Sequence, residues 1–485
     1  MSTQHPDNAT PPPFAENGVL KGEGEVAEAS YVYDQLGCDE QMWDFEGKAA
    51  DVDVTLKLLM SHPDFFKKRV LGKDVFLTLR IPNPGVERQM RKKVEEALHT
   101  IVTSFDVASS YYEAEIAPIT EVILPMTTSS QELIWLDSYY RDVVVGKDRH
   151  MLPGGKLVKD WMGEHKPHSI RVIPLFEDHP SMLHADKIVE EYYAFAAKDF
   201  PYVRVFLARS DPALNYGMAG AVLLAKFALQ RLGKLEKRLG TAIHPIIGVG
   251  SSPFRGNFRP PYVGRVLAEF PSVQTYTVQS SFKYDYEMKD ARAGVNQLMA
   301  HERTDPTHVE EDRTLKLVEK LRGRYEAQVS PLAKMVNSVA PFVPRRRDRR
   351  LHTGLFGYSR EGVGGSHEIR LPRAITFAAA LYSVGVPPEL LALDAMSDDD
   401  LKYAKEVMPH FEDDLANALE YANEDNVREL LGKDSALLCR RFRRSVDKEH
   451  MAMTTLVYDM VRQGLNFSHT RQMVEWSAQI RGFLG

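Results

Sequence analysis

Cysteine is almost absent from this sequence: its 485 residues include only Cys38 and Cys439. So few cysteines provide no disulfide framework, and each thiol is better interpreted as a stray core or surface group than as a metal ligand. No stretch approaches the roughly 18 consecutive apolar residues of a membrane span. The N-terminus also lacks the basic and apolar regions of a signal peptide. These absences predict a cytoplasmic protein without a membrane partner.

An excess of positive charge is also missing. The chain has 61 Lys and Arg against 67 Asp and Glu, a formal net charge of −6. Because nonspecific nucleic-acid binding depends on net positive charge, we expect no nucleic-acid partner, and any anion site must be a local arginine cluster. The sequence has no HExxH, paired CxxC, P-loop or GxSxG motif, so a zinc hydrolase, an ATPase or a serine hydrolase has no support.

The sequence does contain a series of apolar runs that end in polar or charged clusters. Such runs are typical of buried strands, and amphipathic helices between most of them indicate βαβ units and a parallel sheet. Functional groups at the carboxyl ends of several parallel strands are typical of a barrel with its site on that face. The seven candidate strands are residues 75–80, 120–125, 170–175, 202–208, 243–249, a segment near 273, and 351–358.

These patterns predict an α/β fold: a TIM-like parallel β/α barrel elaborated by many additional helices. The short segment before His5 is the candidate for an eighth strand. Beyond residue 286 the periodicity becomes mainly helical. We therefore expect one domain over residues 1–485, with a barrel core over roughly 70–375 and a mostly helical part over roughly 376–485.

Two carboxylates directly follow consecutive predicted strands, Glu177 after residues 170–175 and Asp211 after residues 202–208. If these strands are neighbours, both carboxylates can converge on one hard cation. Mg²⁺ typically takes one or two carboxylates together with water and substrate oxygens. The alternative is that each residue is only a helix N-cap, since acidic side chains are favoured at a helix start.

A loop rich in glycine and serine follows the strand at 243–249 and carries two arginines. Glycines allow several backbone N–H groups to face one anion, so Gly250, Ser251 and Ser252 are candidate phosphate-binding residues. Arg255 and Arg259 would add bidentate contacts that lysine does not copy. We also expect this loop to act as a lid. The alternative is a glycine turn with two solvated arginines.

Further arginines lie between residues 345 and 373. The run of five arginines at 345–350 could bind RNA or lipid, but such a run is more often a solvated face or a subunit contact. Arg360, in a glycine-rich loop, and Arg373, at the start of an apolar helix, suit a small dianion in a closed pocket. Sequence pattern alone does not choose a functional histidine among those at the N-terminus or beside strands: His5, His179, His244 and His352.

Together these motifs resemble those of the archaeal-type phosphoenolpyruvate carboxylases, the short relatives of the long bacterial and plant enzymes. The resemblance implies an α/β barrel with many extra helices, usually in a homotetramer. It also implies irreversible, Mg²⁺-dependent (or Mn²⁺-dependent) condensation of phosphoenolpyruvate with bicarbonate to oxaloacetate and phosphate, by way of carboxyphosphate and an enolate that the metal stabilises. Such a reaction supplies four-carbon acids anaplerotically. The segments that carry the resemblance are STQHPDN, EVILPMTTS, VIPLFEDHPSM, ARSDPALNYG, GVGSSPFRGNFRPP, QSSFKYDY and HTGLFGYSREGVGGSHEIRLPRA.

The resemblance also implies roles for individual residues. Glu177 of PLFED and Asp211 of ARSDPALNYG would be the metal ligands, and His5 of TQHP would serve acid/base chemistry. The implied catalytic arginines, which would hold phosphate and carboxylate groups, are Arg255 in SPFRG, Arg360 in GYSRE and Arg373 in LPRAI. The remaining candidate substrate-binding residues are Gly250, Ser251, Ser252, Arg259 and, in FKYD, Lys283.

The sequence departs from the family pattern in two places. The long enzymes have a histidine two residues before the loop arginine, where this chain has Pro253, and their second loop arginine is spaced differently from Arg259. The chain also starts four residues before His5, whereas the short enzymes often begin slightly earlier, which raises the alternative of a clipped start.

Two other functions remain open at this point. One is another Mg²⁺-dependent barrel lyase or mutase acting on a pyruvate enolate, which bicarbonate-dependent phosphate release would distinguish. The other is a noncatalytic anion-binding or RNA-associated protein that uses residues 345–350.

Overall fold

Seven parallel strands lie in one sheet in the order in which they occur along the chain. A computed structural model describes residues 1–196, 201–349, 359–361, 368–464 and 467–485. The strands are β1 Glu40–Asp44, β2 Phe76–Arg80, β3 Ile119–Leu124, β4 Arg171–Phe176, β5 Tyr202–Ala208, β6 Ala242–Gly248 and β7 Thr275–Tyr276. A separate antiparallel pair consists of β8 Ser359–Glu361 and β9 Glu368–Arg370. The chain is therefore an α/β protein whose parallel sheet curls into a half-barrel.

Six of the predicted strands are confirmed as β2 to β7. The seventh, residues 351–358, lies outside the described residues. β1 was not predicted, and it places the start of the sheet well before residue 70. Its sequence EQMWD has acidic residues at both ends and no apolar run, although all five residues are buried. Glu40 and Asp44 tolerate this burial because Arg204 and Arg80 pair with them.

Helices surround the sheet and make up most of the chain after residue 286, as the periodicity predicted. They are α1 Glu23–Asp34, α2 Val54–Ser61, α3 Pro63–Phe66, α4 Arg91–Tyr112, α5 Ser130–Tyr139, α6 Val158–Met162, α7 His179–Leu183, α8 Ala185–Ala196, α9 Ser210–Leu239, α10 Val263–Glu269, α11 Ser280–Tyr284, α12 Met288–Met299, α13 Glu311–Val339, α14 Ala374–Ser383, α15 Asp398–Val407, α16 Phe411–Leu419, α17 Glu424–Leu431, α18 Lys433–Phe442, α19 Lys448–Gln463 and α20 Phe467–Arg481.

The long helix α9 begins directly after β5 and bends near its start. Its backbone leaves the helical conformation at Gly217, where φ is 73°. A Cβ there would lie 3.0 Å from the carbonyl oxygen of Leu391, so both the bend and the close contact require glycine. By length and composition α9 could span a membrane, but 94% of its apolar window is buried inside the protein, as in a core helix.

One face of the sheet carries a polar layer and an apolar layer, because alternate residues of a strand point to the same face. Near the amino ends of the strands, Arg204 Nη1 lies 2.8 Å from Glu40 Oε1 and 2.5 Å from Glu121 Oε2. Two residues further along β5, Phe206 belongs to a buried apolar cluster with residues such as Met42 of β1. This apolar layer separates the polar layer from the carboxyl ends of the strands, where the charged residues of the site lie.

Candidate active site

A cavity of about 1040 Å³ opens at the carboxyl ends of the strands. It brings together five of the residues predicted from sequence: His5, Glu177, Asp211, Arg255 and Arg373. Among the described residues that line it, arginines outnumber carboxylates. The cavity therefore favours a small, multiply charged anion next to a cation-binding carboxylate pair.

The two carboxylates come from neighbouring strands, since Glu177 follows β4 directly and Asp211 lies in the first turn of α9, just after β5. The helix N-caps are other residues: Asp178 caps α7, and Arg209 precedes α9. Neither Glu177 nor Asp211 is therefore an N-cap, although Asp211 does lie in the first turn of a helix, where acidic side chains are favoured.

Burial raises the pKa of Glu177 well above its usual value, and the nearby carboxylates of Asp211 and Glu46 raise this pKa further. A divalent cation bound between Glu177 and Asp211 would relieve that repulsion, so the donor set fits Mg²⁺. Within the described part of the chain, no group of three or more His, Cys, Asp or Glu could hold a metal ion. Water and substrate oxygens would therefore complete the coordination of such an ion.

His5 lines the same cavity and is held from two sides. Its Nδ1 lies 2.9 Å from Thr3 Oγ1, and its carbonyl oxygen accepts a hydrogen bond from the Ser280 amide at 3.2 Å. Burial lowers the pKa of His5 well below its usual value, and the nearby Arg80 and other arginines lower this pKa further. The imidazole is therefore neutral at neutral pH and able to accept a proton.

Arg255 is fixed by four neighbours and is only 2% exposed. Its Nη1 donates to Asp7 Oδ2 at 3.2 Å and to the Gly485 carbonyl at 3.0 Å. Its Nη2 donates to Gln279 Oε1 at 2.6 Å, and its Nε donates to Ser210 Oγ at 3.0 Å. A guanidinium held this firmly is preorganised for an anion, because little reorganisation is needed when charge develops beside it.

The loop before Arg255 does not form the anion nest predicted for it. The Gly250 amide donates to the Arg255 carbonyl at 2.8 Å. The amide and hydroxyl of Ser251 both donate to Asp7 Oδ2, at 3.0 and 2.8 Å. Ser252 is fully buried, and none of these three residues is among those that line the cavity. All of residues 249–259 are buried, so the loop is a packed support for Arg255, and this geometry does not favour the predicted lid.

Two other predicted substrate-binding residues also lie outside the described cavity lining. Arg259 donates to Asn257 Oδ1 at 2.7 Å and lies over the ring of Tyr262. Lys283 forms an ion pair with Glu28 at 2.8 Å, in which both side chains are 0% exposed. Their charges are used inside the protein, and the structure does not bring these two predicted substrate-binding residues to the cavity.

The predicted arginines between residues 345 and 373 do not all lie in the same environment. Arg373 is the N-cap of α14 and lines the cavity. Arg360 lies on β8, opposite Ile369 of β9, and its side chain is outside the described part of the structure. Of the run at 345–350, Arg346 and Arg347 are buried and line the cavity. The expectation of a solvated face or subunit contact is therefore wrong for these two.

Sequence reasoning missed three residues of the site. Arg80 is the last residue of β2, where its Nε donates to Asp44 Oδ1 at 3.2 Å. Arg209 comes directly after β5, is 2% exposed and donates to the Phe254 carbonyl at 2.9 Å. Both arginines line the cavity. Both could have been found as Glu177 was, by looking for a charged residue at the carboxyl end of a predicted strand. Asp7 had no such signal, because its partners are distant in sequence.

Gly250 allows the close approach of Arg255, which gives a first testable prediction. A Cβ at Gly250 would lie 2.5 Å from Arg255 Nη1 and 2.6 Å from its Cζ. We expect Gly250→Ala to displace the guanidinium and to lower kcat/KM about 10²-fold, with a loss of about 1–3 kcal/mol in unfolding free energy. Steady-state kinetics and urea denaturation measure both effects.

The matched control is Gly323→Ala, since a Cβ at Gly323 of α13 would have no atom within 4 Å. We expect this variant to keep wild-type kinetics and to gain about 0.5–1 kcal/mol in unfolding free energy. Wild-type kinetics of Gly250→Ala would contradict the role assigned to Arg255.

The backbone of Phe254, next to Arg255, is held on both sides. Glu389 accepts hydrogen bonds from the Phe254 amide and, at 2.7 Å, from the Tyr382 hydroxyl, while Arg209 donates to the Phe254 carbonyl. Glu389 is 0% exposed, and burial raises the pKa of its carboxyl to about 7. Glu389 and Arg209 thus fix the position of the loop that carries Arg255.

The raised pKa of Glu389 predicts a pH-dependent stability. The folded state binds the Glu389 proton more tightly than the unfolded state, so the contribution of Glu389 to the unfolding free energy falls as pH rises from 4.5 to about 7. A glutamine side chain would still accept both hydrogen bonds but does not titrate. We therefore expect Glu389→Gln to remove about 3 kcal/mol of the fall in unfolding free energy between low and neutral pH. Urea denaturation at pH 5 and pH 8 measures it, with the exposed Glu406→Gln as control. An identical pH slope in wild type and Glu389→Gln would refute the assignment.

The chain is similar to known proteins along its whole length. The family model described as phosphoenolpyruvate carboxylase matches residues 1–485. The chain belongs to the phosphoenolpyruvate carboxylase family. A curated phosphoenolpyruvate carboxylase of Methanothermobacter thermautotrophicus is 51% identical over 426 residues, which cover 88% of this chain and 87% of the relative. Those of Pyrococcus furiosus and Halobacterium salinarum are 44% and 45% identical, and each comparison covers 100% of this chain and 99% of the relative.

Membership of the phosphoenolpyruvate carboxylase family confirms the resemblance inferred from the sequence motifs. The match extends over the helical C-terminal part of the chain, which no motif covered. That part supplies Gly485, which accepts a hydrogen bond from Arg255, and Glu389, which accepts one from the Phe254 amide. The C-terminal part therefore contributes directly to the site.

Proposed function

We propose that this protein carboxylates phosphoenolpyruvate with bicarbonate and releases oxaloacetate and phosphate. The observation that carries the proposal is a single cavity in which Glu177 and Asp211 lie among buried arginines and a neutral His5. The relatives that carry the name phosphoenolpyruvate carboxylase support the same reaction.

The arginines bind and orient the two anionic substrates. Arg255 and Arg373 surround the phosphate of phosphoenolpyruvate and the incoming bicarbonate, with Arg360 as a further predicted ligand. Their positive charge stabilises the charge that develops when a bicarbonate oxygen attacks phosphorus and the bond from phosphorus to the enol oxygen breaks. The products of this step are carboxyphosphate and the enolate of pyruvate.

His5 then takes the proton of the carboxyl group of carboxyphosphate. The C–O bond to phosphate breaks, and its electrons leave with phosphate while carbon dioxide forms beside the enolate. Carbon dioxide is attacked by the enolate carbon, which gives oxaloacetate, and His5 returns its proton to phosphate. Water must be excluded during this step, because protonation of the enolate would give pyruvate instead.

Glu177 and Asp211 are the residues that would hold Mg²⁺ or Mn²⁺. The ion would act as a Lewis acid that stabilises negative charge on the enol oxygen and orients the substrate carboxylate. The repulsion between these two carboxylates supports this assignment.

Several further properties belong to the same proposal. We propose that the N-terminal segment closes the sheet into a barrel, supported by isolated parallel bridges from Ser2 to Gln41 in β1 and to Val278 just after β7. We also propose a cytoplasmic homotetramer that supplies four-carbon acids irreversibly, without nucleic-acid or membrane partners.

A malate-dehydrogenase-coupled assay tests the reaction. NADH oxidation should require phosphoenolpyruvate, Mg²⁺ and bicarbonate together. Formation of phosphate or pyruvate without oxaloacetate would favour the alternative of another barrel lyase or mutase.

A further inference from the structure

We propose that Thr3, fixed in place by Lys283, is a positioning residue that orients the imidazole of His5 for proton transfer. This inference rests on the proposed function, because it concerns the step in which His5 takes the proton of carboxyphosphate. It assigns a structural purpose to Lys283, whose motif had been interpreted as part of a substrate site.

Lys283 is the centre of a buried ionic network. Its Nζ donates to Glu28 Oε1 at 2.8 Å, and Glu28 also accepts from both Arg347 Nη2 and the Tyr284 hydroxyl. Arg347 in turn pairs with Glu25 at 2.9 Å. Because every charge in this network has a buried counter-charge, Lys283 has a single well-defined position.

From that position Lys283 holds the N-terminal segment. Its Nζ donates to the Thr3 carbonyl at 2.9 Å and to Ser2 Oγ at 3.2 Å. The Thr3 amide donates to the Val278 carbonyl at 3.0 Å, so both polar backbone groups of Thr3 are bonded to fixed partners. Thr3 is 0% exposed, and its hydroxyl is therefore a fixed point beside the cavity.

The Thr3 hydroxyl is the group that contacts the ring of His5, with Oγ1 lying 2.9 Å from Nδ1. When Nδ1–H donates to Oγ1, the neutral imidazole keeps its free electron pair on Nε2. His5 also lines the cavity, so this tautomer makes Nε2 the nitrogen that takes the proton of carboxyphosphate. Without the contact, the ring can rotate and can adopt the other tautomer.

The orientation of His5 is tested by measuring how the enolate divides between oxaloacetate and pyruvate. Phosphoryl transfer precedes the step that needs His5, so a misoriented imidazole should leave phosphate release nearly intact and divert enolate to pyruvate. Thr3→Val keeps the shape of the side chain and removes the hydroxyl. We expect it to lower the ratio of oxaloacetate to pyruvate about tenfold, with phosphate release within about threefold of wild type.

Four further variants complete the design. Thr3→Ser keeps the hydroxyl and should restore the wild-type product ratio. Thr3→Ala removes the hydroxyl without a replacement methyl group and serves if Thr3→Val does not fold. Lys283→Met should change the product ratio in the same direction, while Lys289→Met, whose ion pair with Glu287 is exposed, should not.

A double-mutant comparison with His5→Asn decides between positioning and a general structural role. If Thr3 acts through His5, then Thr3→Val in the His5→Asn background should cause no further change in the product ratio. An additional fall of the same size in that background would overturn the inference. An unchanged product ratio in folded Thr3→Val and Thr3→Ala proteins would also overturn it. Neither result would affect the proposed function, since wild-type carboxylation is measured separately in the same assays.

Discussion

Asp211→Asn should abolish turnover while leaving the fold intact. Asp211 lies in the first turn of α9 and lines the same cavity as Glu177, so the substitution keeps the shape of the side chain but removes one of the two carboxylates proposed to hold the metal ion. We expect kcat to fall at least about 10³-fold, because in the proposed mechanism a firmly bound cation stabilises the enolate. The coupled assay over a range of Mg²⁺ concentrations measures this loss.

Measuring the unfolding free energy with and without Mg²⁺ separates metal binding from catalysis. Wild-type protein should gain about 2.7 kcal/mol in unfolding free energy at a Mg²⁺ concentration 100 times the Kd, and Asp211→Asn should gain almost nothing. Without Mg²⁺ the variant should be at least as stable as wild type, because the carboxylate that repels Glu177 is gone. Asp178→Asn is the matched control, since Asp178 is exposed and Asn is an equally good N-cap for α7. Near-normal activity of Asp211→Asn at low Mg²⁺ would show that the metal assignment is wrong.

His5→Asn should separate the two halves of the reaction. Since the proposed mechanism assigns phosphoryl transfer to the arginines, we expect bicarbonate-dependent phosphate release to continue, while oxaloacetate formation falls about 10²–10⁴-fold. The enolate should then appear as pyruvate. Parallel assays coupled to malate dehydrogenase and lactate dehydrogenase, together with a phosphate assay, measure the three products.

The exposed His150→Asn provides the control for His5→Asn, and it should keep wild-type product ratios. Loss of phosphate release and oxaloacetate to the same extent in His5→Asn would place His5 in the first step and contradict the proposed order. Unchanged oxaloacetate formation would remove His5 from the chemistry.

The parallel sheet and the carboxylate pair were predictable from sequence because their signals are local. Apolar runs such as residues 202–208 mark strands whose carboxyl-terminal halves are buried, and Asp211 follows this run within three residues. β1 gave no such signal, since Glu40 and Asp44 are buried only because Arg204 and Arg80 neutralise them.

The residues whose surroundings the sequence did not predict have partners that are far away in sequence. Lys283 and Glu28 are 255 residues apart, and Arg255 and Asp7 are 248 apart, so no local pattern reports either pair. The Gly250 loop has the composition of a phosphate nest, but Asp7 already occupies the N–H and hydroxyl of Ser251. Composition predicts what a loop can bind, whereas the rest of the fold determines whether its donors are already used.

The path of a bicarbonate oxygen tests the central claim most directly. In a reaction with ¹⁸O-bicarbonate, attack of a bicarbonate oxygen on phosphorus must place one labelled oxygen in phosphate and leave two in the new carboxyl group of oxaloacetate. Mass spectrometry of the phosphate measures this transfer. The account predicts one ¹⁸O in each phosphate released with oxaloacetate. Unlabelled phosphate, with all of the label in oxaloacetate or in the remaining bicarbonate, would contradict it.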